Sequence, residues 1–399
     1  MTKRKMTKKQ QRQVERAVKK APVFFAIVFL LIVAIVVCYV LHKKKIIHIP
    51  FLDDSSSSSS MTEVDGQGGA FTQDDLALIK GGSVSIHFLE LGNKYTGDCT
   101  LIKTGDTEIL IDAGSRANSA ETIISYVNTF CTDGKLEYVI ATHADQDHIA
   151  AFPGVFEAFE CGTIIDFPKT GKDTSVYHKY VAARTAEVTA GAVHYTALEC
   201  WNNANGAQRS YTLGDGITMN FLYQKFYEEE TNDENDYSVC MLLTETYVGG
   251  VNNYLFTGDL EEHGEASLVE KNDLPKCVLF KGGHHGSKTS STDALLSVIE
   301  PDIICVCCCA GSDEYKAKPE NTFPTQAFVD RVAKYTKNVY VTTLANDTET
   351  GYESMNGNIV VYSQNGGISV RCSNNATILK GTDWFKQNRV CPDAWAANP

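Results

Sequence analysis

Four side chains able to hold a metal ion fall within six residues, His143-Ala144-Asp145-Gln146-Asp147-His148. Imidazole and carboxylate together suit zinc and the harder manganese ion. Ions held this way lower the pKa of water and polarise an ester, which is hydrolytic chemistry. Two more signals of the same kind lie downstream. Thr257-Gly258-Asp259 closes the apolar run Tyr254-Leu255-Phe256, and His284-His285-Gly286-Ser287 follows Cys277-Val278-Leu279-Phe280. The chain has only ten histidines, so three such signals after strand-like runs are unexpected by chance.

Aiming six consecutive residues at one point requires a tight loop, because a strand or helix would spread them over opposite faces. Tyr138 to Thr142 reads as a short buried strand before the loop, and Ile149 to Phe152 as the start of a helix after it. Upstream, Val84 to Leu89 alternates like a half-buried strand, and Thr100 to Ile102 and Glu108 to Ile111 continue a meander. Asp112 ends the third strand beside a glycine and is expected to hold metal ligands and loop backbone from behind. Helices are expected over 117–131 and 175–190. Further strands are expected at Thr163 to Asp166, Val239 to Thr244, Asn253 to Asp259 and Pro301 to Ala310. Tyr340 to Thr342 and Ile359 to Tyr362 are expected to complete a second sheet. His178 and His194 lack a glycine-flanked loop after a strand and read as ordinary surface or core histidines. Glu261, Glu262 and His263 read as structural residues at a helix N-terminus.

His143 to His148 resembles the HxDxDH form of the metallo-β-lactamase-fold signature, with Asp145 where a second histidine is usual. Asp112 matches that fold's first acidic motif. Asp259 matches its metal-bridging acid, and His284 to Ser287 its last ligand motif. This variant is similar to the hydrolase domain of ComEC-type competence proteins and to related secreted hydrolases. The likeness covers about residues 83–370 and includes Asn235-Asp236-Tyr237-Ser238, an N-x-x-S element. The turn that commonly reads G-x-G-D is longer here, Leu91 to Asp98, with Asp98 in the matching place. Ala150-Ala151 stand where Gly-Gly is usual. The resemblance implies an α/β fold, a four-layer αββα sandwich, with two divalent ions, zinc or manganese. His143, Asp145, Asp147, His148, Asp259, His284 and His285 are the candidate ligands. Asp147, His284, His285 and Asn235 are the candidate catalytic residues, with Asp112 and Ser287 supporting them. Which histidine of the 284–285 pair is the ligand stays open. Ser287 and Lys288 are candidates for contact with an anionic substrate.

Residues 1–20 form a basic tail, and residues 21–41 carry no charge. A helix of that length spans roughly 30 Å, the thickness of a bilayer's hydrocarbon core. Basic residues concentrate before it, which places the N-terminus in the cytoplasm and the remainder outside the cell membrane. Residues 42–80, with the serine run Ser55 to Ser60, read as a flexible tether to a hydrolase domain over 81–399 with a short C-terminal extension. The thirteen cysteines are numerous for an extracellular protein. Cys305, Cys307, Cys308 and Cys309 share one predicted strand and read as small buried side chains, and Cys372 with Cys391 is a candidate disulfide.

The chain has 36 basic and 49 acidic residues; twelve of the former and one of the latter lie in the first 50, leaving residues 51–399 at a formal −24. Grip on a long polyanion needs a basic stripe, and composition offers none. The expectation is a membrane-anchored, metal-dependent hydrolase, a phosphodiesterase acting through a hydroxide held between two ions. Its substrate would be a small or envelope-linked phosphodiester. An extracellular DNA nuclease of ComEC type is the alternative within that chemistry, and an anchored binding module with a structural metal site is the alternative outside it. No protein partner follows from the residues.

Overall fold

Strands buried at every position must be covered on both faces, and this chain contains several of them. In the computed structural model, which describes residues 70–315 and 318–396, Ile303–Ala310 is buried at every position. Its Cys305 and Cys307 face one apolar cluster, while Ile304, Val306 and Cys308 face another. The first cluster lies between two sheets, and the second lies between one sheet and its outer helices.

The first sheet contains β1 (Val84–Phe88), β2 (Thr100–Thr104), β3 (Thr107–Ile111), β4 (Lys135–Ala141), β5 (Glu160–Asp166) and β6 (Val193–Thr196). The second contains β7 (Ser210–Gly214), β8 (Ile217–Leu222), β9 (Cys240–Tyr247), β10 (Gly250–Phe256), β11 (Leu279–Lys281), β12 (Ile303–Ala310), β13 (Val339–Ala345) and β14 (Tyr352–Ser354). The chain then returns to the first sheet with β15 (Ile359–Gln364) and β16 (Gly367–Cys372), giving the order β16-β15-β1-β2-β3-β4-β5-β6 opposite β14-β13-β12-β11-β10-β9-β8-β7. Ile359 to Tyr362 therefore does not complete the second sheet. It pairs antiparallel with β1, Val361 opposite Ile86, because β1 is buried on both faces and has an edge left for pairing.

Strands β3 to β6 run parallel, as do β10 to β13, so each ends at one rim of its sheet. The loops leaving those carboxyl ends carry the metal-capable residues. Helices α1 (Gln73–Lys80), α2 (Ser119–Val127), α3 (Gln146–Ile149), α4 (Phe152–Ala158) and α5 (Ser175–Ala190) precede or interleave the first sheet, and α6 (Ala197–Asn202) follows it. Helices α7 (Glu262–Lys271), α8 (Asp293–Ile299) and α9 (Gln326–Val332) cover the outer face of the second. The tail docks there too, with Trp395 buried and its Nε1 donating to the Thr336 carbonyl at 2.9 Å.

The tether expected over 42–80 ends earlier than composition suggested. Thr72 caps α1 through a reciprocal bond with Asp75, and Phe71 and Ile79 are buried. The remainder of that range, and the membrane span expected over 21–41, lie outside the described residues. No helix among the described residues is long and apolar enough to cross a membrane. All described cysteines are free thiols, Cys372 and Cys391 included.

One buried carboxyl makes stability depend on pH away from the rim. Glu90, just past β1, accepts from Ser354 Oγ at 2.6 Å, and burial raises its pKa from 4.5 to about 7. A raised folded pKa gives stability that is fully present below pH 4.5 and is lost as pH rises through about 7. The loss amounts to roughly 3 kcal/mol. Denaturant unfolding at pH 5 and pH 8 should show this fall in the wild type and should lack it in Glu90→Gln. An equal fall in both proteins would show that Glu90 is not its source.

Candidate metal centre

Asp112, directly after β3, adopts a left-handed backbone (φ 59°), which turns its carboxylate back over the neighbouring strand end. There Oδ1 accepts from the Thr142 amide at 2.7 Å, and Oδ2 accepts from Thr142 Oγ at 2.8 Å and from His148 Nδ1 at 2.8 Å. The Thr142 hydroxyl spends its proton on this carboxylate, so it can only accept from His143 Nδ1, 3.1 Å away. His285 Nδ1 donates to the Cys307 carbonyl at 2.8 Å. All three imidazoles are thereby fixed in the tautomer that presents a bare Nε2.

Those Nε2 atoms meet carboxylates at one point. His148 Nε2 lies 3.1 Å from Asp259 Oδ2 and 3.3 Å from His285 Nε2, while His285 Nε2 lies 3.0 Å from Asp259 Oδ2 and 3.3 Å from Asp147 Oδ2. Ligands held about 2.0–2.1 Å from a tetrahedral ion sit about 3.3 Å from each other. His148 Nε2, His285 Nε2 and Asp259 Oδ2 thus already have the mutual spacing of three ligands of one ion, with Asp147 beside His285. A second position adjoins it. His143 Nε2 is buried without a hydrogen-bond partner, as is Asp259 Oδ1, and Asp145 Oδ2 lies 3.8 Å from His143 Nε2. Asp259 Oδ2 faces the first position, while its Oδ1 lies 3.8 Å from the Lys281 ammonium.

Electrostatics also fit cations. Burial works against ionising Asp259, yet the His148 and His285 imidazoles hold its pKa well below the usual range. Burial likewise opposes charge on His148 and His285, yet Asp259 raises both well above it, helped by Asp112 for His148 and by Asp98 for His285. Without an ion, the carboxylates recruit protons onto the histidines. Divalent ions would supply that positive charge and leave the imidazoles free to coordinate.

Asp98 lies beside the same histidines, and its carboxylate groups with His148, Asp259 and His285 within 4.8 Å. It nevertheless faces their Nδ1 edges, 3.3 Å from His285 and 3.8 Å from His148, opposite the edge that Asp259 faces. An imidazole committed through Nε2 cannot offer Nδ1 to the same ion. Asp98 is instead ion-paired with Lys281, whose side chain is 3% exposed. That ammonium lies 3.8 Å from Asp259 Oδ1. Asp98 therefore braces the ligands from behind, as Asp112 does.

The structure also separates the two adjacent histidines. Both have left-handed backbones, φ 44° at His284 and 54° at His285, so their rings diverge. His284 is part-exposed, with Nε2 3.9 Å from Asp259 Oδ2 and Nδ1 held by Glu261 at 3.1 Å. Glu261, read from sequence as only structural, thus belongs to the site, and Asn235 Nδ2 lies 3.5 Å from the same carboxylate. Ser287 is buried and bonded to Thr289, which in turn donates to Glu261. Asp145 is ion-paired with Lys172. His178 and His194 pair with Asp173 and Asp166, away from this centre. Close approach of the metal loop requires glycine at 114, where a Cβ would sit 1.5 Å from the Asp147 carbonyl oxygen. Asp98 was legible only through its place in the G-x-G-D-like turn; Lys172 and Glu261 carried no sequence signal.

Residues 92–169 match the family model described as Metallo-beta-lactamase superfamily. The chain is similar to Competence protein ComA of Neisseria gonorrhoeae, 26% identical over 238 residues, which cover 59% of this chain and 28% of that protein. It is also similar to ComE operon protein 3 of Bacillus subtilis, 26% identical over 170 residues, 42% of this chain and 19% of that protein. The chain therefore spans well under a third of each relative. Among solved structures, the metallo-beta-lactamase fold protein YhfI of Bacillus subtilis aligns over 66% of this chain and 96% of its own, at 12% identity and a TM-score of 0.37.

Proposed function

We propose that this chain, which carries a metallo-β-lactamase domain and so a hydrolase fold, is a metal-dependent phosphodiesterase. The observation that carries the reading is the convergence of His148 Nε2, His285 Nε2 and Asp259 Oδ2 within 3.3 Å of one another, with Asp147 Oδ2 3.3 Å from His285 Nε2, beside the unpartnered Nε2 of His143. In this reading Asp147, His148, His285 and Asp259 would hold one zinc or manganese ion, and His143 and Asp145, with Asp259, would hold the other. When bound, such ions lower the pKa of water and stabilise charge on the oxygens of an ester. Asp112 keeps His148 in its ligating tautomer. His284, its Nδ1 held by Glu261, turns Nε2 towards the substrate and leaving group. Asn235 orients substrate beside Glu261.

Charge favours a small diester. Around the rim, Arg116 pairs with Glu314 and Lys169 with Glu230, while the Arg331 guanidinium is taken up by the carbonyls of Ser287, Lys288, Ser290 and Ser291. No continuous basic track is left among these groups for a long polyanion. Relatives named for competence support a second reading, DNA. The two separate by experiment. Purified full-length chain loaded with zinc or manganese should hydrolyse bis(4-nitrophenyl) phosphate, lose that activity to a chelator and regain it on metal return. Efficiency should rise little as oligonucleotides lengthen. A steep rise with length, and a steep fall with salt, would establish the DNA reading. A folded, metal-loaded chain inert towards every diester would sink the phosphodiesterase reading and favour a binding module.

Anchoring through residues 21–41 with the domain outside the cell belongs to the same proposal. It is supported by the charge-free stretch and the basic residues that precede it. Protease added to intact cells should release the domain; protection until lysis would reverse the orientation.

A further inference from the structure

The loop between β5 and α5 carries a cation that the metal chemistry does not use. Lys172 is one-third exposed, and its ammonium is ion-paired with Asp145 Oδ1, on the carboxylate whose other oxygen approaches His143. Its position is built rather than incidental. Buried Glu234 accepts from Thr170 Oγ at 2.6 Å and from the Gly171 amide at 2.8 Å. The same carboxylate accepts from the Ala144 amide, inside the metal loop, at 3.3 Å. Thr170 Oγ in turn accepts from the Lys172 amide at 2.9 Å. One carboxylate thus ties the backbone of the Lys172 loop to the backbone of the metal loop. The stem of Lys172 is anchored at the mouth of the centre, and only its flexible end is free to move.

Asp145 holds Lys172 by charge. Once that carboxylate shares its charge with a divalent ion, its hold on the ammonium weakens, while the ammonium stays within reach of whatever occupies the mouth. Lys169 and Arg116 pair with carboxylates that are not candidate ligands, Arg331 is taken up by backbone carbonyls and Lys281 is buried behind the ligands. Lys288 is exposed, but of the two only Lys172 is held by a candidate ligand. A compact ammonium on a flexible stem is suited to a phosphate oxygen as a point charge.

We propose that Lys172 is the specificity-determining residue that grips the anionic oxygen of the substrate, passing from Asp145 to a non-bridging phosphoryl oxygen as substrate binds. This rests on the phosphodiesterase reading for the substrate, but the anion contact can be tested without turnover. The full-length, metal-loaded chain is compared with Lys172→Met and Lys172→Arg by three measurements. These are steady-state kinetics on bis(4-nitrophenyl) phosphate, calorimetric titration with inorganic phosphate, and metal content.

In Lys172→Met, KM for the diester should rise about tenfold and phosphate binding weaken about tenfold, the scale of one charge-assisted hydrogen bond. The kcat value should stay within about twofold and metal content should be unchanged, because every metal ligand, Asp145 included, is kept. Lys172→Arg should recover most of the loss. Unchanged KM and unchanged phosphate binding would overturn the proposal. So would loss of metal from Lys172→Met, which would make Lys172 a strap on Asp145. If the wild type fails to hydrolyse the diester but Lys172→Met still weakens phosphate binding, the phosphodiesterase reading falls and the anion grip stands.

Discussion

Alanine at Asp259 should strip the centre more completely than any other single substitution. Metal content should fall from near two ions per chain to below one, and diester hydrolysis should fall about a thousandfold or more, the scale of lost catalytic electrostatics. The reason is geometric. Asp259 Oδ2 lies 3.1 Å from His148 Nε2 and 3.0 Å from His285 Nε2, and Oδ1 is buried with no hydrogen-bond partner, so a second ion could take it. Asp145 sits at the mouth, 27% exposed and shared with Lys172, so Asp145→Ala should cost one position at most. Elemental analysis and rates on the same folded preparations make the comparison. Two ions retained in Asp259→Ala, or a larger loss in Asp145→Ala, would remove Asp259 from the bridging role.

The second large effect concerns stability. Lys281→Met should destabilise the metal-loaded protein by about 3–5 kcal/mol, the usual penalty for stranding one member of a buried ion pair. The melting temperature should drop by roughly 5–10 °C. Lys281 and Asp98 have side chains only 3% and 2% exposed, so water cannot replace the lost partner. Asp98 also touches the ligand loops, since its amide donates to the Asp147 carbonyl at 3.0 Å and its carbonyl accepts from the Gly114 amide at 2.9 Å. Removing both charges should be far less harmful than removing one, so Lys281→Met with Asp98→Asn should recover much of the loss. Simple addition of the two single losses would show that the pair is not coupled.

Much of the centre was readable in the chain because its ligands cluster locally. A six-residue motif after a strand, whose second half turns out to begin helix α3 and not to stay a loop, an acid closing a second strand and a histidine pair after a third announce themselves by residue type and by the apolar runs before them. Strand positions were legible for the same reason, since burial on both faces leaves continuous apolar runs such as Ile303 to Ala310. Small residues like Cys305 and Cys307 fit such a strand because their side chains fill the space between the sheets.

Partnership was a different matter. Ile359 to Tyr362 is apolar enough for either sheet, and only the open edge of β1 decides that it belongs to the first. The histidine pair is chemically degenerate in sequence. Two consecutive left-handed residues and the Cys307 carbonyl select His285 for the cluster and turn His284 towards Glu261. Asp98 and Lys281, or Lys172, Asp145 and Glu234, are polar residues far apart in the chain whose meaning is a distance of a few ångströms. The sequence by itself determined the ligand types and the strands that must end near them, because local periodicity and composition encode burial. Only the tertiary structure decided which edge of each imidazole is free, which carboxylate braces and which ligates, and which cation faces the mouth. Those choices depend on the direction of single side chains, and long-range packing sets that direction.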